Sequence, residues 1–195
     1  MNNKGNAPLL DLDCLHCALN QVIDTTELAG TPEPKRREIM HRALEMLAAQ
    51  DVSRNNCETI ESVYRMVTRE IGVDDPYRET RLFYDREMLR LLPEMRRHVR
   101  ASTDPLMAAV RAAIAGNLSD LAALGGEVTL ERALDKLHQI DSEPFAIDDS
   151  AALKDALSRA KTLLVLGDNC GEIAMDRLLI ETIRALYPDI QIQYG

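Results

Sequence analysis

The chain has no Trp and only two Phe and five Tyr among its 195 residues. So few rings leave no aromatic platform on which nucleic-acid bases could stack. Positive charge is in deficit as well, with 32 Asp and Glu against 23 Lys and Arg and a net charge of −9. Nucleic-acid binding draws its affinity from neutralising phosphates with Lys and Arg, so no nucleic-acid partner is expected. The short basic runs Lys35-Arg36-Arg37 and Arg96-Arg97 read as solvated helix faces. No apolar run approaches the roughly 20 residues that span a bilayer. The opening Met1-Asn2-Asn3-Lys4-Gly5-Asn6 lacks the apolar stretch of a secretory signal. The expectation is a cytoplasmic protein with no membrane partner. Four cysteines, at 14, 17, 57 and 170, are too few for a disulfide scaffold, and a reducing compartment would not keep one.

What is present is a core-forming chain, 46% hydrophobic and 28% charged. Up to about residue 140 the apolar positions recur with helical period. Ile39, Ala43, Leu44 and Leu47 share one face of a segment opened by Pro34, and Ile60, Val63, Tyr64, Val67 and Ile71 share a face in the next, which Gly72 closes. Asp75-Pro76 opens a long charged helix to about residue 100, with a kink expected at Pro93. Asp104-Pro105 opens another, with Leu106, Val110, Ala113 and Ile114 on its buried side and Gly116-Asn117 at its end. Gly125-Gly126 turns into a short helix over roughly 129–138.

After residue 140 the texture changes. Phe145-Ala146-Ile147, Thr162-Leu163-Leu164-Val165-Leu166 and Ile190-Gln191-Ile192-Gln193-Tyr194 read as three strands, separated by helices over 150–159 and 172–186. The middle run is apolar throughout and predicts a strand buried on both faces, as in a parallel sheet. The expected fold is therefore α/β, a helical part over 1–140 and an α/β part over 141–195.

The stretch richest in chemistry is Gly167-Asp168-Asn169-Cys170-Gly171-Glu172, between the end of a strand and the start of a helix. Open α/β sheets bind ligands at this place, because the loops leave a crevice and the helix N-terminus offers N–H groups to an anion. Asp168 and Asn169 supply hard oxygen donors suited to Mg²⁺ or Mn²⁺. The same residues also fit a purely structural capping box, Asn169 as N-cap with Glu172 as its partner. Asp176 falls within the apolar stripe of the following helix, so its carboxylate must be paired, hydrogen-bonded or near a metal. Cys170 has no His or other base near it in sequence and is not assigned as a nucleophile. Cys14 and Cys17 have the spacing of half a zinc site or of a redox pair, and on one helical turn they also suit small buried apolar residues. Asp75-Pro76-Tyr77 and Gly116-Asn117-Leu118-Ser119-Asp120 are, taken singly, ordinary helix boundaries.

Taken together, Asp13-Cys14-Leu15-His16-Cys17, Asp75-Pro76-Tyr77, Gly116-Asn117-Leu118-Ser119-Asp120 and Asp168-Asn169-Cys170-Gly171-Glu172 followed by Asp176 resemble the damage-control phosphatase family. This is also called the acidic-residue methyltransferase-like family and was formerly a domain of unknown function. The resemblance runs from about residue 11 to the end with the motifs in order, and it is to the branch carrying the Cys-x-x-Cys. It implies a helical N-terminal part packed on a Rossmann-like, three-layer parallel sheet of which only the first strands are present. It also implies a metal-dependent phosphatase acting on small phosphorylated metabolites, sugar phosphates or damaged cofactor intermediates, with Mn²⁺, Co²⁺, Ni²⁺ or Mg²⁺. In such an enzyme Asp168 and Asn169 hold the metal and carry catalysis. Asn117, Asp120, Gly171 and Glu172 lie on the substrate side, and Asp176, Cys14 and Cys17 are supporting or structural.

The chain departs from the family at Leu121 and Ala122, where Phe and Gly are usual. Family chains also continue past the last strand here, and the continuation supplies a third metal ligand, an Asp, and a phosphate-binding Lys. The sequence is accordingly expected to be the N-terminal two-thirds of such an enzyme. Two rival readings follow from the same residues: a catalytically silent fragment or interaction module, and a zinc or redox module built on Cys14 and Cys17.

Overall fold

The structure, a computed structural model, describes residues 12–50, 55–117, 139 and 143–195, with the side chains of residues 12, 13 and 117 excepted. It divides into two compact units, Met1–Glu79 and Thr80–Gly195. The expected short helix over 129–138 lies outside the described residues.

The first unit holds α1 (Leu12–Leu28), α2 (Glu33–Ala48) and α3 (Asn56–Ile71). Local chemistry sets the ends. Pro34 sits in the first turn of α2, where a missing N–H costs nothing, while the Asn55 side chain accepts the Glu58 N–H to start α3. Gly72 closes α3 at φ 69°, a conformation that side-chain-bearing residues rarely adopt. Ala18, Val22, Ile39, Ala43, Val63 and Val67 form the core between the three helices. Leu44, anticipated on that face, is 47% exposed. Lys35 and Arg42 both pair with Glu70, tying α2 to α3 at the surface. Among the described residues no helix is long and apolar enough to cross a membrane.

The second unit holds most of α4 (Arg78–Ala101), then α5 (Pro105–Asn117), α6 (Ser150–Arg159), β1 (Thr162–Val165), α7 (Glu172–Leu186) and β2 (Gln191–Tyr194). The chain is α/β, predominantly helical. α4 remains helical through Pro93. Asp104 starts α5 by accepting the Met107 N–H, and its other carboxylate oxygen pairs with Lys154 of α6. β1 and β2 are parallel, in register from Thr162 opposite Gln191 to Val165 opposite Tyr194. Among the described residues this sheet has two strands, not three. Phe145-Ala146-Ile147 forms no strand; the Phe145 ring instead lies under the Arg111 guanidinium, 4.2 Å from its centroid.

β1 is also not buried on both faces. Leu163 packs with Leu106, Leu157, Ile183 and Ile192 beneath the helices, whereas Leu164 and Leu166 on the alternate face are 58% and 74% exposed. Covering both faces of a strand requires layers on both sides, and the described elements supply one.

The core that positions the loop after β1 is built by α4, α5 and α7. Met88, Leu91, Leu92, Met95 and Val99 of α4 meet Ala108, Ala109, Ala112 and Ala115 of α5 and Ala174, Met175 and Leu178 of α7. The buried stripe of α5 is thus its alanine face, and Ile114, anticipated as buried, is 45% exposed. Small residues on that face let the α7 backbone approach closely, and a larger Ile there would hold it off.

Candidate active site

The backbone leaves β1 at Val165 and stays in the ladder one step further, with Gly167 N–H donating to Gly195 O at 2.8 Å. Gly167 leaves room for the Tyr194 ring, since a Cβ built on it would lie 2.6 Å from Tyr194 Cζ and would push the ring aside. Asp168 and Asn169 follow, both exposed, with Asn169 Nδ2 donating to Asp168 Oδ2 at 3.0 Å. The chain then turns through Gly171 at φ 82° into α7. The Gly171 N–H donates to Asp85 Oδ1 of α4 at 2.7 Å.

Glu172 is only 6% exposed. Its carboxylate accepts the backbone N–H groups of Asn169 and Asp168, which favours the charged form. Burial outweighs this and, together with the charges of Asp176 and Asp168, pushes the carboxyl above the usual range. Half of the anticipated capping box is present, the Glu172 carboxylate accepting the Asn169 N–H, but Gly171 and not Asn169 is the N-cap of α7.

One turn further on, Asp176 is buried and accepts a hydrogen bond from Tyr194 Oη at 3.0 Å. Burial raises its pKa, and the Tyr194 hydrogen bond opposes the rise. The Tyr194 phenol is in turn pushed up to about 12 by burial and by the Asp176 carboxylate beside it. Asp176 therefore has the partner that its place in an apolar stripe demands.

The Gly116-Asn117 segment is brought to the same place. A Cβ on Gly116 would stand 3.0 Å from Met175 Cβ and 3.3 Å from Glu172 Cα, so the end of α5 abuts the start of α7. The Asn117 side chain and Asp120 lie outside the described residues. Tyr77 serves its own unit: its hydroxyl bonds Thr25 Oγ1 at 2.9 Å and its ring lies 6.3 Å from that of Tyr64. Cys14 and Cys17 lie on α1 in that same unit, and no disulfide joins any of the four cysteines.

Asp85 and Tyr194 contact this loop and escaped the sequence reading. Asp85 is one acid in a helix dense with charge, and nothing in its spacing marks it. Tyr194 ends a Gln-Ile-Gln-Tyr alternation, where a tyrosine reads only as a strand residue.

By residue type the donors suit a hard divalent cation, a carboxylate from Asp168 and an amide oxygen from Asn169, although here it is the Asn169 amide nitrogen that faces the Asp168 carboxylate. Burial is the first cause of the raised Glu172 pKa, and the charges of Asp176 and Asp168 add to it; a cation nearby would offset only that added part. Among the described residues no group of three or more His, Cys, Asp or Glu is arranged to hold a metal ion.

The model of the damage-control phosphatase ARMT1-like domain matches residues 10–194 of this chain. The chain belongs to that family. A damage-control phosphatase from Archaeoglobus fulgidus is 31% identical over 172 residues, which is 88% of this chain and 59% of that protein. Damage-control phosphatase PH1575 from Pyrococcus horikoshii is 28% identical over 176 residues, 89% of this chain and 59% of its own length. The crystal structure of PH1575, a DUF89 family protein, superposes with a TM-score of 0.84 at 24% identity, covering 96% of this chain and 64% of that one. The fold is thus that of the family, and the chain spans about 59% of the length of these two curated relatives.

Proposed function

We propose that this chain carries the metal-binding loop of a metal-dependent phosphatase acting on small phosphorylated metabolites, such as sugar phosphates or damaged cofactor intermediates. The observation that supports this most strongly is the Asp168-Asn169 pair on an exposed loop at the carboxyl end of β1, backed by the buried carboxylates of Glu172 and Asp176. Asp168 and Asn169 would hold a divalent cation, Mn²⁺, Co²⁺, Ni²⁺ or Mg²⁺. Such a cation, when bound, supplies Lewis-acid polarisation of the phosphoryl group and lowers the pKa of a bound water.

The remaining roles fall to the chain itself. Glu172 stiffens the loop by accepting the amides of Asp168 and Asn169. The N-terminal end of α7, at Gly171 and Glu172, presents the positive end of the helix dipole, which favours a phosphate there. The Gly171 N–H is already engaged by Asp85, so the anion is served by the dipole and not by that donor. The family resemblance assigns Asn117 and Asp120 to the substrate side, and Gly116, just before them, abuts the start of α7.

The test is phosphate release from p-nitrophenyl phosphate with Mn²⁺, before and after a chelator. Activity should vanish with the chelator and return when Mn²⁺ is restored in excess. Activity indifferent to the chelator would refute the reading.

A second reading is favoured by one observation, the exposed outer face of β1 at Leu164 and Leu166. In it the chain is a catalytically silent module that binds a partner through this apolar face. Light scattering showing a monodisperse monomer that melts cooperatively would count against it.

A further inference from the structure

The hydrogen bond from Gly171 N–H to Asp85 Oδ1, at 2.7 Å, spans 86 residues of sequence and joins α4 directly to the loop after β1. Asp85 stands one turn before Met88 and two before Leu92, both buried in the core shared by α4, α5 and α7, so its helix is anchored where it meets the loop. A second link lies further along, where the Arg96 guanidinium holds Glu181 of α7 through two hydrogen bonds of 2.7 Å each. The links are eleven residues apart on α4, and ten residues separate Gly171, the N-cap of α7, from Glu181, so α4 is tied to α7 at its start and again within it. Between the Asp168-Asn169 pair and α7 the chain turns at Gly171, with φ 82°.

We propose that Asp85 is a positioning residue of the candidate site, fixing the Gly171 peptide and through it the direction in which Asp168 and Asn169 present their oxygens. This rests on the reading of Asp168 and Asn169 as cation ligands. Asp85 contacts the peptide and not the cation. The interaction needs an acceptor oxygen at this position and does not need its charge. Partners one step behind metal ligands typically change metal affinity by about 10- to 100-fold when removed.

The experiment compares the full 195-residue chain with Asp85→Ala and Asp85→Asn. Mn²⁺ binding is read from the EPR signal of the free ion, amide exchange at Gly171 by NMR, and folding by thermal melting. Asn retains a side-chain oxygen that can accept the Gly171 N–H. Asp85→Ala is expected to exchange at Gly171 at least about tenfold faster and to bind Mn²⁺ about tenfold more weakly, with Asp85→Asn within about threefold of wild type in both. If Asp85→Ala does not fold, the Asn variant alone decides: near-wild-type binding with a protected Gly171 supports the proposal, and loss of either overturns it.

Unchanged Gly171 exchange in a folded Asp85→Ala overturns the proposal. So does an Asn variant as impaired in Mn²⁺ binding as the Ala variant, since the carboxylate charge would then act directly. A wild-type chain that binds no Mn²⁺ overturns the reading of the site and with it the functional role of Asp85. That failure is distinguishable because exchange at Gly171 still follows the order Ala, then Asn, then wild type.

Discussion

Asp176 shows how far single residues can be read. An acid among Ile173, Leu179 and Ile180 must find a partner, and the apolar spacing states that requirement before any fold is known. The partner, Tyr194 on β2, is a matter of tertiary placement. Asp176→Ala should lose about 1–2 kcal/mol in urea unfolding, as the bond to Tyr194 disappears. Asp176→Asn keeps an oxygen acceptor and sheds the buried charge. Because burial raises the Asp176 pKa from 3.8, the folded state binds the proton more tightly than the unfolded one. Stability in the metal-free chain therefore falls as pH rises from about 3.8 through the raised value. Asp176→Asn escapes this loss, so its stability relative to wild type should grow between pH 3 and pH 7. A constant difference across that range would show that the Asp176 pKa is not raised. Asp168 and Asn169 stand on the loop between β1 and α7 where the strand-to-helix pattern puts them. Asp85 was not legible, because its one distinctive contact lies 86 residues away.

Among the elements, the helices and their ends were largely legible, since caps such as Asn55 and Gly72 are local chemistry. Which face each helix buries was less so. α5 turns its alanines towards α7, which comes close; of the larger residues that periodicity favoured, Leu106 is buried, Val110 is half-buried against it, and Ile114 is exposed. Gly116 marks the tightest point. Gly116→Ala gains up to about 1 kcal/mol in helix propensity but forces a Cβ against Met175 and the Glu172 backbone, where overpacking costs about 1–3 kcal/mol. A net loss of about 1 kcal/mol is expected, and a more stable variant would show that α5 and α7 do not meet so closely. The α4 to α7 link makes a pH prediction of opposite sign to that of Asp176. Arg96 and Arg177 hold the Glu181 carboxyl down from 4.5 to about 2. Stability from this pair is complete above about 4.5 and is lost as pH falls towards 2. Both side chains are partly solvated, so screening holds the contribution to about 1 kcal/mol. Glu181→Gln should remove that part of the acid dependence, and an acid limb identical to wild type would discount the pair. The strand anticipated at 145–147 failed because three apolar residues satisfy a strand pattern as readily as a loop packed on Arg111.

At the scale of the molecule, family and fold were legible because the motifs stand in order along the chain, whereas the burial of β1 was not. A continuous apolar run predicts two covered faces, and coverage depends on neighbouring layers that the run itself does not encode. The acidic excess has a local counterpart in Asp85, Asp168, Glu172 and Asp176, which lie on or against one loop. This loop is the proposed place of phosphoryl chemistry. Phosphate release from p-nitrophenyl phosphate in saturating Mn²⁺, compared between wild type and Asp168→Ala of matched folding, tests it. Measurable turnover in wild type and a loss of at least about 100-fold in the variant are expected. Equal turnover in the two would contradict it.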